Sequence, residues 1–193
     1  MPVSVADMTR TATPLSEQLT WHWQALVRPK LEGLTDEEYF WEPAPGWNVR
    51  PAGSGVPGAQ QVGAGPFRID FAFPEPDPPP LTTIAWRLGH VIVGVFGQRA
   101  ASHFSGPRMD YDSVEYAGTA AEALAQLDRA YASWIEGVEA LDAVGLARPC
   151  GPAEGPFAEY PMADLVQHIN REAIHHGAEI LLLRDLYRNR PLG

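Results

Sequence analysis

A single cysteine, Cys150, among 193 residues excludes any disulfide within the chain. No segment approaches the roughly 20 consecutive apolar residues that a bilayer-spanning helix requires, so a membrane-spanning class is not expected. The opening stretch MPVSVADMTR lacks the apolar core of a secretory signal. Together these absences point to the reducing cytosol, giving a cytoplasmic expectation. Basic charge is scarce as well: 14 Lys and Arg face 24 Asp and Glu, for a formal net charge of −10. No basic run of five or more offsets it. Such a surface repels phosphate backbones and anionic headgroups, so nucleic acid and membrane surfaces are not expected partners. There is no Gly-rich phosphate loop, no internal repeat and no G-x-S-x-G nucleophile elbow.

What is present is the composition of an ordinary globular protein, 45% hydrophobic and 20% charged. The length suits one domain spanning residues 1–193 with a sizeable core. Four segments have helical periodicity. Leu15, Leu19, Trp23 and Leu26 share one face of a helix from about Pro14 to Pro29, where proline interrupts it. Thr35 followed by Glu38 reads as a capping box for a short helix carrying Tyr39, Phe40 and Trp41. A second helix starts after a proline run, capped by Thr82 or Thr83, with Ile84, Leu88, Val91, Ile92 and Val95 as its stripe, fading near Phe104. Thr119 and Glu122 open a third, whose Leu124, Leu127, Tyr131, Trp134, Val138 and Leu141 recur at spacings of three and four. The fourth begins near Pro161 and runs to about Tyr187, burying Met162, Leu165, Ile169, Ala173, Ile180 and Leu183.

Between the first two helices the character changes. Ten of the 19 prolines lie from Pro43 to Pro80, with glycines at 46, 53, 55, 58, 63 and 65. No long helix fits there, and a structureless loop of that length is uncommon unless functional. RIDFAF (68–73) alternates apolar and polar side chains and suits a short strand or hairpin. Residues 43–80 are therefore an irregular loop, with an open choice between a floppy excursion and a lid. The pattern as a whole predicts an all-α four-helix bundle. The connections between helices one and two and between three and four are long enough for crossovers.

The chemistry concentrates in HINREAIHH (168–176). On a helix His168, Glu172 and His176 stand four apart on one face, with His175 about 100° round from His176. Ile169, Ala173 and Ile180 place His176 inside the apolar stripe and Glu172 at its edge. A carboxylate on a buried edge is costly unless a positive partner holds it. A divalent metal is such a partner. Imidazole and carboxylate suit zinc first, and nickel, iron or manganese as well. The third ligand should come from a facing helix, and His90 is the natural candidate. Gly94 and Gly97 on its side would leave open space for a neighbouring helix or a ligand. Glu179, one turn beyond His176, is placed to accept a hydrogen bond from a ligand histidine. Three protein ligands leave positions for water or substrate, the catalytic arrangement. Spacing alone does not separate His175 from His176. His22 reads as a packing residue between Trp21 and Trp23, His103 as a helix-terminal residue, and Cys150 as a passive thiol.

The segments LTTIAWRLGHVIVG and REAIHHGAEILLLRDLY, with EGLTDEEYFWEPAPG, are similar to the DinB-like superfamily of four-helix bundles. That superfamily includes the mycothiol-dependent maleylpyruvate isomerase and the bacillithiol transferases. The resemblance covers most of the chain and is weakest over 43–80. It implies a metal triad of His90, Glu172 and His176, and it selects His176 over His175. Many members have histidine where this chain has Glu172; the isomerase-like branch has glutamate. It further implies a small-molecule electrophile and a low-molecular-weight thiol such as mycothiol as reaction partners, and a homodimer. The metal would activate either that thiol, giving a transferase or isomerase, or a water, giving a hydrolase. A third reading, also implied by the resemblance, is a non-catalytic metal-binding or stress-response protein of the same fold.

Overall fold

The computed structural model describes residues 13–191; the MPVSVADMTR stretch lies outside them. The first helix, α1 (Thr13–His22), continues through a π-helical turn (Trp23–Val27) and a 3-10 turn (Pro29–Leu31). The π turn adds a residue to the coil and so rotates the residues beyond it about the helix axis. Within the turn Val27 is buried and Leu26 only partly, a one-residue departure from the face read in the sequence. A short α2 (Asp36–Tyr39) comes next, with the Thr35 hydroxyl accepting from the Glu38 N–H at 3.2 Å. The Glu38 side chain does not close the box. It is buried and accepts from Arg184 Nε at 2.8 Å, fastening α2 to the end of the last helix.

The second long helix is α3 (Ile84–His90), a π segment (Val91–Gly97) and α4 (Gln98–Phe104). Thr83 is its cap, accepting from the Trp86 N–H at 3.2 Å. It ends at Ser105 in the left-handed conformation, with the Gly106 N–H bonded to Ala100 O. α5 (Ala120–Glu139) starts at the Thr119 cap expected from the sequence. A short α6 (Ala143–Ala147) leads to the last helix, α7 (Met162–Arg188). The expected stripes of α3 and α7 are all buried and join one hydrophobic cluster with α1 and α5.

Side-chain contacts fix the helix directions. Asn170 meets Leu15, Gly177 meets Val27 and Arg184 meets Glu32, so α7 runs parallel to α1. Arg87 meets Glu179 and His90 meets His176, so α3 opposes α7. Phe96 meets Tyr131 and Phe104 meets Trp134, so α4 runs parallel to α5. The connection that travels the length of the bundle is therefore 105–119, between the second and third long helices, and not either of the longer ones.

The all-α expectation is corrected over 46–82. Five short strands form there: β1 (Gly46–Trp47), β2 (Val49–Pro51), β3 (Gln60–Val62), β4 (Phe67–Phe71) and β5 (Leu81–Thr82). β4, which contains most of RIDFAF, is the central strand of an antiparallel sheet in the order β2-β4-β3. Val49 and Val62 both pair with Ile69. β1 and β5 pair in parallel. The alternation in β4 has a local cause: Ile69 is buried against Gly89 of α3, while buried Asp70 accepts from the Asn48 N–H and Arg50 Nε. Gly53 and Gly58, both at positive φ with nothing within 4 Å of a would-be Cβ, supply the turn between β2 and β3. The Pro/Gly composition thus builds tight turns in a small sheet rather than one irregular loop.

Candidate metal centre

The antiparallel contact of α3 with α7 brings His90 against Glu172 and His176. One ligand atom from each of the three lies within 4.8 Å of the others. The His90 and His176 rings meet edge to face, centroids 4.7 Å apart. His176 Nε2 is 3.4 Å from Glu172 Oε2. Two donors bound to one zinc at about 2.1 Å in tetrahedral geometry stand roughly 3.4 Å apart. The donor set and its spacing fit a small divalent cation, with modest closure on the His90 side.

Both rings are held by a second set of groups. His176 Nδ1 is 2.7 Å from Glu179 Oε2, which accepts its proton and leaves the Nε2 lone pair facing Glu172 and His90. Arg87 Nη1 lies 3.0 Å from Glu179 Oε2 and so fixes that carboxylate. The same nitrogen is 3.3 Å from His176 Nδ1; the shorter bond to Glu179 sets the tautomer, and the guanidinium is a neighbour of the ring rather than its donor. On the other side, His90 Nδ1 is 2.8 Å from the Tyr111 hydroxyl. With that nitrogen donating, Nε2 is the one free to ligate.

Burial, reinforced by His176, Arg87 and Arg99, pushes the His90 pKa down to about 3. Its imidazole is thus neutral at pH 7, the state a metal requires. Burial pushes Tyr111 up to about 12, so its phenol is neutral too. Trp86 stacks on the His90 ring at 5.6 Å and 15°. Its Nε1 donates to Asp70 O at 2.8 Å, tying this wall of the site to the sheet.

His175, His176 and Glu179 form a second convergence of ligand atoms. Arg87 already supplies the positive charge there, and the His175 side chain is 66% exposed. His168 lies outside both groups, with Nδ1 3.9 Å from Glu172 Oε1. His103 is bonded to Glu154 at 2.8 Å. His22 joins neither group, and burial lowers its pKa. Burial raises the Cys150 thiol, in keeping with a passive role.

A family model described as DinB superfamily matches residues 18–180, which takes in α3, α5 and the ligand-bearing half of α7. The chain belongs to the DinB superfamily. No curated protein and no solved structure matches it. In this DinB-superfamily chain, sequence reading locates His90, Glu172, His176 and Glu179 but misses Tyr111, Arg87 and Trp86. Gly94 is the available signal. A Cβ there would collide with the Tyr111 hydroxyl, and one at Gly97 would collide with Met109 Sδ. The space read beside His90 is filled by the 105–119 connection.

Proposed function

We propose that this member of the DinB superfamily is a divalent-metal-dependent enzyme whose metal is held by His90, Glu172 and His176. Zinc fits the donor set best, with nickel, iron and manganese as alternatives. The observation that carries the reading is the convergence of two imidazoles and one carboxylate within 4.8 Å, each imidazole oriented through its remote nitrogen. Three protein ligands leave positions for a reactant. A bound divalent cation lowers the pKa of a thiol or water from its ordinary value, making the nucleophile available at neutral pH.

The chain's own groups do the rest. Glu179, held by Arg87, and Tyr111 fix the two rings. Trp86 and the sheet behind it shield one side of His90 from water. The nucleophile proposed is a low-molecular-weight thiol such as mycothiol, attacking a small electrophile in an S-transfer or isomerisation, at a cytoplasmic address. What supports the thiol over water is the superfamily together with the glutamate at 172. Protein prepared without a chelating tag should contain about one equivalent of metal. It should then transfer thiol to a model electrophile, and His176→Ala should lose both properties. Equal rates in the two proteins would remove the enzymatic reading at this site. A rate that needs metal but no thiol would point to a hydrolase instead. Stoichiometric metal without turnover would favour a binding or stress-response protein.

A further inference from the structure

The connection into α7 folds back on itself beside the ligand helices. Pro149 bridges Pro161, Cys150 N donates to Tyr160 O at 2.8 Å, and Gly151 N donates to Ala158 O at 2.8 Å. A compact loop whose ends meet in this way is held as a unit. Glu154 fastens its base to α4: it accepts from His103 Nε2 at 2.8 Å and lies 3.4 Å from Arg99 Nη2. The loop's outer side presents Phe157 and Tyr160, 60% and 53% exposed, packed edge to face at 5.6 Å.

Between these rings and the first half of α7 lies a cleft of about 550 Å³, a volume suited to a small organic molecule. It reaches the triad end of α7, beside Glu172, and meets the second long helix at Arg99, more than two turns past His90. On α7 its wall includes His168, 3.9 Å from Glu172. On α4 it includes Arg99, which donates to Gly94 O at 2.9 Å, one turn past His90. Arg171 stands at this same end. Its guanidinium has no carboxylate within ion-pair distance among the described residues and touches only His168 Nδ1, at 3.5 Å. Of the carboxylates in the wall, Asp164 lies about 10 Å further along the helix by rise per residue, and Glu154 is already paired with His103 and Arg99. Arg99 is committed to Glu154, which leaves Arg171 as the cation available to a ligand.

We infer that this cleft binds the organic reactant, and that the reactant is an organic anion. Its charged group is held by Arg171 at the end nearest the triad, and its apolar body lies against Phe157 and Tyr160. A chain with net charge −10 repels anions over most of its surface, so a dedicated cation is what an anionic reactant needs. The inference rests on the metal reading for the chemistry after binding, but not for the binding itself.

The test uses two probes on the full chain, before and after chelator treatment: anilinonaphthalenesulfonate, an aromatic anion, and the neutral N-phenyl-1-naphthylamine, both monitored by fluorescence. The anion should bind at one saturable site per chain. Arg171→Ala should weaken it roughly 10-fold, as expected for one charge-assisted hydrogen bond at a partly solvated site, and leave the neutral probe within about 2-fold. Tyr160→Ala should weaken both by roughly 3-fold or more. Both replaced side chains are exposed, so the variants should fold. Anion binding that ignores Arg171→Ala, or probe binding that ignores Tyr160→Ala, overturns the proposal even if the protein holds stoichiometric metal. Binding as expected in protein that holds no metal would leave the cleft standing and remove the metal reading.

Discussion

Replacing Tyr111 with phenylalanine deletes one oxygen and keeps the ring that packs beside His90. The lost oxygen is the hydrogen-bond partner of His90 Nδ1, at 2.8 Å. With it gone, a buried N–H is left unsatisfied whenever Nε2 binds metal, and the tautomer with the proton on Nε2 is no longer disfavoured. Outer groups that orient a ligand histidine are worth about 10–100-fold in metal affinity, and an unsatisfied buried donor costs about 1–3 kcal/mol. The two scales agree on a loss of roughly 10-fold or more for Tyr111→Phe. Zinc affinity is measured by competition with a chromophoric chelator, and cobalt substitution gives a second readout through its visible absorption. Gly94→Ala should act through the same contact, because its Cβ would displace the Tyr111 hydroxyl. The two changes should add less than fully: in the double variant the clash has lost its closest target, the hydroxyl, and keeps only the ring carbon at 3.1 Å. A Tyr111→Phe protein with unchanged fold and zinc affinity within about 2-fold of wild type would mean that the hydroxyl does not orient His90 for metal.

Glu179→Gln should weaken zinc by a similar roughly 10-fold, since an amide accepts less strongly from His176 Nδ1; equal affinity would show that Glu179 serves Arg87 alone. His175→Ala should leave metal content unchanged while His176→Ala abolishes it, as read by elemental analysis. Arg184→Met should destabilise the fold by about 3 kcal/mol in urea unfolding, because it strands buried Glu38 and frees the backbone carbonyls of Lys30 and Glu32; a change under about 1 kcal/mol would mean that Arg188, 3.5 Å from Glu38, takes over. Acid should destabilise the metal-free protein through His90. Its folded pKa, about 3, lies below the ordinary 6.5, so the unfolded chain takes up a proton that the folded one refuses. Stability is then full above pH 6.5 and falls as pH drops toward 3, with a slope approaching about 1.4 kcal/mol per pH unit. Urea midpoints at pH 7.5 and 5 should differ less in His90→Gln than in wild type; an identical difference in both would count against this.

The parts legible in the sequence are those that one helix face determines. Ile169, Ala173 and Ile180 place His176 inward, and its 9% exposed side chain stands against 66% for His175. Thr119 announces its helix start through its own hydroxyl, and for the second helix the sequence offers Thr82 or Thr83, of which Thr83 is the cap. RIDFAF is legible as a strand because alternation is local, but the other strands are too short to carry a period. The π turns are invisible, since an extra residue in the coil leaves no mark in the pattern; after Trp23 the helical period admits both Leu26 and Val27, the sequence reading takes Leu26, and Val27 is the one buried. Tyr111 is beyond reach for a different reason. It sits on a connection whose path depends on α4 and α5 running parallel, a property of the assembled bundle. Gly94 and Gly97 record that path as missing side chains, and a missing side chain does not say what fills its place.

Anomalous diffraction from crystals of tag-free protein, collected at the zinc, nickel, iron and manganese edges, addresses the triad most directly. One peak per chain is expected, about 2.0–2.2 Å from a Glu172 oxygen and from the Nε2 atoms of His90 and His176, with Tyr111 and Glu179 still bonded to the remote nitrogens. A peak seated on His175 and Glu179, or density showing the three side chains bonded to one another after incubation with metal, would contradict it.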